Sequence, residues 1–135
     1  MLHVELYIIV FLIITKFKLV LIITKKKSIQ LITSLGETLY ELSEKGILTP
    51  KLASRMPVFS DDKLSIKIFL KENVLFHDGT SFDANSMKFT IERFQKIGTA
   101  NYLLDNKIKS IETPQKYLLV INLNKPSSSF IGLLT

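Results

Sequence analysis

The side chains that could do chemistry are few and scattered. His77 and Asp78 are neighbours, and an imidazole beside a carboxylate suggests a metal ligand pair or a general acid–base. A metal site, however, needs three or four ligands. His3 is the other histidine, it lies in an apolar segment, and no His-x-x-x-His or carboxylate cluster accompanies His77. The pair therefore reads as a turn whose imidazole or backbone stabilises a loop. Asp61-Asp62 reads the same way, as a solvated turn, because Asp serves turns readily and a metal role would require further carboxylates converging on it. Glu92 and Arg93 are adjacent on a predicted helix and point in different directions. That spacing excludes an acid–base pair and leaves Arg93 as an anchor to a neighbouring loop. Ser127–Ser129 lacks the Gly-x-Ser-x-Gly elbow of a nucleophile, and no Gly-x-x-x-x-Gly-Lys loop exists for phosphate. The absence of cysteine excludes disulfides, thiolate metal sites, a cysteine nucleophile and a lipid-modified cysteine. No catalytic residue, metal or cofactor is assigned, and the chain reads as a non-enzyme.

The elements around His77 are better defined than its chemistry. Leu64-Ser65-Ile66-Lys67-Ile68 alternates apolar and polar residues, the period of a half-buried strand. Asp78-Gly79 signals a tight turn, since glycine supplies the positive φ required there. Asp83 is placed to cap a helix over Ala84–Lys96 through its carboxylate. Met87, Ile91 and Phe94, spaced four and three apart, share one face of that helix, and Gly98 stands where a left-handed C-terminal cap belongs.

These same residues carry a family resemblance. Leu52-Ala53, Ser60-Asp61-Asp62, Phe69-Leu70-Lys71, Val74, Phe76-His77-Asp78-Gly79-Thr80, Phe82 and Glu92-Arg93 occur in the order found in the extracellular solute-binding proteins, family 5, of peptide and nickel ABC transporters. The pattern resembles cyanobacterial members most. Pro50-Lys51-Leu52-Ala53 is similar to a further family element, and Leu123-Asn124-Lys125-Pro126 to the exit from a family strand. The resemblance runs from about Leu35 to Leu134 and matches an early part of a family protein several times longer. It departs at Met56-Pro57, where many relatives have Trp, and no Leu-Asp-Pro-like segment precedes it. It implies that Phe76, His77, Asp78, Gly79 and Thr80 form a structural turn, and Asp83 as helix cap and Arg93 as loop anchor join them as structural motif residues. No ligand-binding residue is singled out.

Charge and hydropathy divide the chain in two. The net charge of +6 comes mainly from residues 1–30, with five Lys and one Glu, whereas residues 31–135 hold thirteen Lys or Arg and eleven Asp or Glu. Lys25-Lys26-Lys27 is the one basic cluster, too small for a nucleic-acid footprint, and it flanks an apolar segment instead. Val4–Thr24 has the length of a bilayer span but contains Lys16 and Lys18. Each costs roughly 2.5–3.5 kcal/mol at a helix centre, which about a dozen apolar residues roughly offset. Positive charge before the core and a small-residue cleavage site, both marks of a secretory signal, are absent. The positive-inside rule would hold the lysine cluster in the cytoplasm, opposite to what a periplasmic binding lobe needs. The segment fits a poor signal, an uncleaved anchor, or unrelated sequence in front of a truncated gene.

Along the rest of the chain, Ser28–Tyr40 is compatible with a helix, with Ile32, Leu35, Leu39 and Leu42 at helical spacing. Glu44-Lys45-Gly46 predicts a turn into a short extended segment at Thr49-Pro50. Val58-Phe59 precedes the Asp61-Asp62 turn. Thr99–Asn106 reads as a loop or short helix, and Ile108–Thr113 and Tyr117–Leu123 as strands joined at Pro114-Gln115. Ser127–Ser129 could cap a helix starting near Phe130, although five or six residues cannot sustain one alone.

The expected fold class is α/β, an α+β part of a lobe of the periplasmic binding protein type II kind. It has a mixed sheet, a hairpin and packed helices behind a hydrophobic N-terminal helix. Two regions are expected: 1–27, a hydrophobic segment that is transmembrane or signal-like, and 28–135, part of a solute-binding lobe. The resemblance implies the substrate-binding component of an ABC importer for peptides or similar small solutes. Its partners would be the solute, if the full receptor is present, ABC permease subunits, and the membrane through the N-terminal segment. Nucleic acid is not among them. A periplasmic or membrane-associated location follows. The rival readings are a small membrane-anchored interaction protein and a gene remnant without transport activity.

Overall fold

The computed structural model describes residues 38–76, 79–97, 104 and 106–135. The hydrophobic segment 1–27, the first part of the helix expected from Ser28, the His77-Asp78 pair and the Gly98 cap position lie outside the described residues. Among the described residues no helix is long and apolar enough to cross a membrane.

Among the described residues the fold has two antiparallel sheets, one long helix and a short 3₁₀ helix. Strands β1 (Tyr40–Leu42) and β2 (Leu48–Pro50) form a hairpin, with Tyr40 opposite Pro50. Gly46, at φ +75°, makes the turn between them, and its N–H donates to the Ser43 carbonyl at 2.9 Å. Here the helix expected to reach Tyr40 gives way to a strand. Leu39 is buried and Leu42 is 43% exposed, so the two do not share a helical face. The ladder to β2 outweighs a spacing that local sequence alone would read as helical.

The main sheet has the order β3-β4-β6-β5, with β3 at Val58–Phe59, β4 at Ser65–Phe69, β5 at Ile108–Gln115 and β6 at Leu118–Leu123. Every described pairing in it is antiparallel. Ile66 pairs with Ile121 and Ile68 with Leu119, so the alternation legible in β4 puts four apolar side chains on one face. The helix α1 (Ala84–Ile97) packs against β5 and β6. Met87, Ile91 and Phe94 are each at most 1% exposed and join the core with Ile66, Ile68, Leu119 and Ile121. Each buried apolar side chain of this size stabilises the fold by about 1.5–3 kcal/mol. Thr90 is the buried polar residue of the helix, and its hydroxyl donates to the Ser86 carbonyl at 2.9 Å.

The second hairpin is formed, but not where Pro114-Gln115 suggested. Both residues belong to β5, Gln115 pairs with Leu118, and the chain reverses at Lys116-Tyr117. Pro114 falls in the register shift between Glu112 and Gln115, where a missing N–H costs no ladder bond. Among the described strands β5 lies at one edge of the sheet; it carries exposed Lys109 together with this irregularity, and both discourage pairing with another chain.

After β6 the chain forms a 3₁₀ helix at Ser128–Leu134, preceded by Ser127. Ser127 makes no side-chain capping bond to the helix. Its hydroxyl lies 3.3 Å from that of Ser129 instead. Burial of Phe130, Ile131 and Leu134 holds this short element, supplying by tertiary packing what its own hydrogen bonds cannot.

Candidate functional site

Backbone hydrogen bonds tie together the two described ends of the Phe76–Thr80 motif. The Phe76 N–H donates to the Thr80 carbonyl at 2.8 Å, and the Gly79 N–H donates to the Phe76 carbonyl at 2.9 Å. Gly79 has φ +80°, and a Cβ added there would meet nothing within 4 Å. Glycine is needed for its backbone conformation, not for space. Flanking this turn, Leu75 bridges Ser81, and the Phe82 N–H donates to the Val74 carbonyl at 2.9 Å. Phe82 is buried and meets the Phe76 ring edge-on, with centroids 5.9 Å apart at 76°. The turn thus plants one aromatic in the core and delivers the chain to the start of α1.

Asp83 caps that helix. Its carboxylate accepts the Ser86 N–H at 2.8 Å, the Ser86 hydroxyl accepts the Asp83 N–H at 3.0 Å, and the Met87 N–H reaches the Asp83 carbonyl at 3.1 Å. The helix start is also tied to the second hairpin: the Ala84 N–H donates to the Lys116 carbonyl at 2.8 Å, and the Thr113 hydroxyl to Asn85 Oδ1 at 2.8 Å. Turn, cap and hairpin form one connected hydrogen-bonded corner. Ser86 is the member that the sequence reading missed. Asp-x-x-Ser is a legible signal, since a hydroxyl at the third helical position can return the capping bond.

The other residues singled out in the sequence lie apart from this corner. The Asp61-Asp62 turn closes β3 onto β4: Asp62 Oδ1 accepts the Ser60 hydroxyl at 2.6 Å and the Leu64 N–H at 2.9 Å. The Ser60 hydroxyl bond, followed by the Leu64 N–H, holds the Asp62 carboxyl below its ordinary pKa. Arg93 lies on the outer side of α1 with Phe89, Glu92 and Lys96 around a shallow dent of about 250 Å³. Its Nε is buried and has no hydrogen-bond partner among the described residues. Glu92 faces Lys88 at 3.8 Å, one helical turn back. Among the described residues no group of three or more His, Cys, Asp or Glu could hold a metal ion.

A second concavity, unmarked by any sequence motif, lies at the hairpin end of the sheet. It is a groove of about 480 Å³ between the Ser54–Arg55 loop and the Lys116–Tyr117 turn, floored by Phe69 and Leu118. The Arg55 guanidinium carbon sits 3.5 Å from the Phe69 ring centroid, and Lys116 Nζ 5.3 Å from that of Tyr117. Neither pairing has a sequence signature, because each joins residues from separate turns or depends on a rotamer.

Comparison with known proteins extends this geometry. The family model described as bacterial extracellular solute-binding proteins, family 5 Middle, matches residues 48–135. The chain is 32% identical over 72 residues to "Probable D,D-dipeptide-binding periplasmic protein DdpA" of Escherichia coli (strain K12), covering 53% of this chain and 14% of that protein. Among solved structures, NikZ from Campylobacter jejuni in complex with Ni(L-His) is 36% identical with a TM-score of 0.63. The match covers 72% of this chain and 20% of NikZ. Listeria monocytogenes OppA bound to peptide is 28% identical with a TM-score of 0.64, over 73% of this chain and 23% of OppA. The chain therefore spans between a seventh and a quarter of the length of these relatives.

Proposed function

We propose, from the premise that this chain belongs to the bacterial extracellular solute-binding proteins of family 5, that it acts in the substrate-binding component of an ABC importer for peptides or similar small solutes. A single observation carries the reading. The fold is similar to two solved structures, one bound to a peptide and one in complex with Ni(L-His), over nearly three quarters of the chain, with TM-scores of 0.64 and 0.63. The name of DdpA, which refers to a D,D-dipeptide, favours a peptide-like solute as well.

In this reading residues 28–135 contribute to one lobe of a two-lobed receptor. Residues 1–27 are a hydrophobic segment, transmembrane or signal-like, and the cell envelope is the location expected of a family member. A receptor of this kind closes by hinge motion on a solute held between its lobes and passes it to permease subunits. Phe76, His77, Asp78, Gly79, Thr80, Asp83 and Arg93 act as framework: they set the angle between β4 and α1 and shape one wall. The described residues offer no catalytic constellation, and the role proposed is binding and delivery rather than reaction.

Uptake tests this directly. Cells in which the coding sequence is disrupted should accumulate a labelled di- or tripeptide more slowly than the parent, and restoring the sequence should restore uptake. Undiminished uptake of peptides and of nickel–histidine in the disrupted strain overturns the proposal.

A further inference from the structure

We propose that residues 56–64 form a strap that swings off the edge of the main sheet as one unit while the core stays folded, with the Asp62 carboxylate as its latch. The inference does not depend on the transport reading.

A light hold between two fixed ends is the first support. At one end the Ser54 N–H and hydroxyl both donate to the Phe69 carbonyl, at 2.8 and 3.2 Å, and the Tyr40 hydroxyl reaches the Arg55 carbonyl at 3.3 Å. At the other end β4 begins at Ser65, already paired with β6. Between them β3 has only Val58, opposite Lys67, and Phe59, opposite Ile66. Met56 is 47% exposed and Val58 50%, and Pro57 has no N–H to donate. Phe59 packs against the core but is itself only half-buried. A segment with so little buried apolar surface and so many exposed hydrogen bonds opens at a lower free energy than the sheet it borders.

A strained turn held by one carboxylate is the second. Asp62 Oδ1 accepts the Ser60 hydroxyl at 2.6 Å and the Leu64 N–H at 2.9 Å, and the Ser60 hydroxyl oxygen in turn accepts the Ser65 N–H at 2.9 Å. The Ser60 N–H donates to the Ser65 carbonyl and the Lys63 N–H to the Ser60 carbonyl, both at 2.9 Å. Against these bonds stands Lys63 at φ +56°, a left-handed conformation that is unfavourable for its side chain. Opening relieves that strain, and the Asp62 carboxylate opposes it. Without the carboxylate the Ser60 hydroxyl loses the acceptor that orients it, so the hold on Ser65 weakens along with that on Leu64. When the strap opens, Phe59 leaves the core and the side of β4 that β3 covers is freed, a row of backbone groups able to template another strand.

The test is native-state hydrogen exchange, read by NMR on the full isotope-labelled chain in non-ionic detergent. The amides of Ser60, Lys63, Leu64 and Ser65 should share one protection factor, about tenfold or more below that of Ile68 and Leu119 in the β4–β6 ladder. Low urea should leave that shared value unchanged while the ladder values fall, because opening the strap exposes little surface. Asp62→Ala should speed exchange at Ser65 about threefold or more, although that amide bonds to Ser60 rather than to Asp62. Lys63→Gly should slow exchange at Ser60, Leu64 and Ser65 about threefold, since glycine takes the left-handed conformation without steric penalty. Strap amides exchanging together with the ladder, unequal protection among them, an Asp62→Ala effect confined to Leu64, or unchanged exchange in Lys63→Gly overturns the proposal.

Discussion

Asp83 and Ser86 satisfy each other across the first turn of α1: the carboxylate takes the Ser86 N–H at 2.8 Å, and the Ser86 hydroxyl takes the Asp83 N–H at 3.0 Å. Free N–H groups at a helix start are costly when left unpaired, and here two are satisfied by one reciprocal pair. Asp83→Ala should lower unfolding stability by about 0.5–2 kcal/mol. Ser86→Ala should cost a similar or smaller amount, and the double variant less than the sum of the two. Urea unfolding of the four proteins measures this. Strict additivity would show that the two side chains act independently.

Gly79 provides a backbone test of the same corner. Its φ of +80° is strained for any side chain, while the space around it is open. Gly79→Ala should destabilise by about 1–2 kcal/mol, and Gly79→Asn by less, because asparagine tolerates the left-handed region. Equal losses for both would mean that the missing volume, not the dihedral, explains the glycine.

What the sequence disclosed follows the range of the interactions involved. The period-two run Leu64–Ile68, the Asp83 cap and the four–three spacing of Met87, Ile91 and Phe94 are local patterns. The structure has each of them, with those three side chains buried. Tyr40–Leu42 was illegible because pairing with Leu48–Pro50 decides its conformation, and nothing within the segment encodes that partner. The hairpin turn slipped by two residues because Pro114 signals a turn in isolation but is accommodated in a strand irregularity here. The groove at Arg55 was out of reach for the same reason: it is assembled from a loop, a strand end and a distant turn.

Phe94 and Phe89 lie on the same helix with opposite fates. Phe94 is fully buried in the core and Phe89 is 58% exposed. Phe94→Ala should cost about 3–5 kcal/mol through lost burial and the cavity left behind. Phe89→Ala should change stability by no more than about 0.5 kcal/mol. Thermal unfolding of the pair fixes the orientation of α1 on the sheet, because a rotation of the helix would exchange the two values.

Tyr40 ties stability to alkaline pH. Its side chain is fully buried at the head of β1, and burial pushes the phenol pKa well above its ordinary value near 10. The folded state therefore favours the neutral phenol, whereas the unfolded chain ionises from about pH 10 upward. Below the unfolded pKa the full stabilisation is present. It is lost as pH rises above that value, since ionisation then draws the equilibrium toward the unfolded chain. Wild-type stability should fall between pH 9 and pH 11 more steeply than that of Tyr40→Phe. The variant gives up the 3.3 Å bond to the Arg55 carbonyl but has no phenol to ionise. Denaturant midpoints at the two pH values measure both slopes. Parallel declines would place the Tyr40 hydroxyl in contact with water.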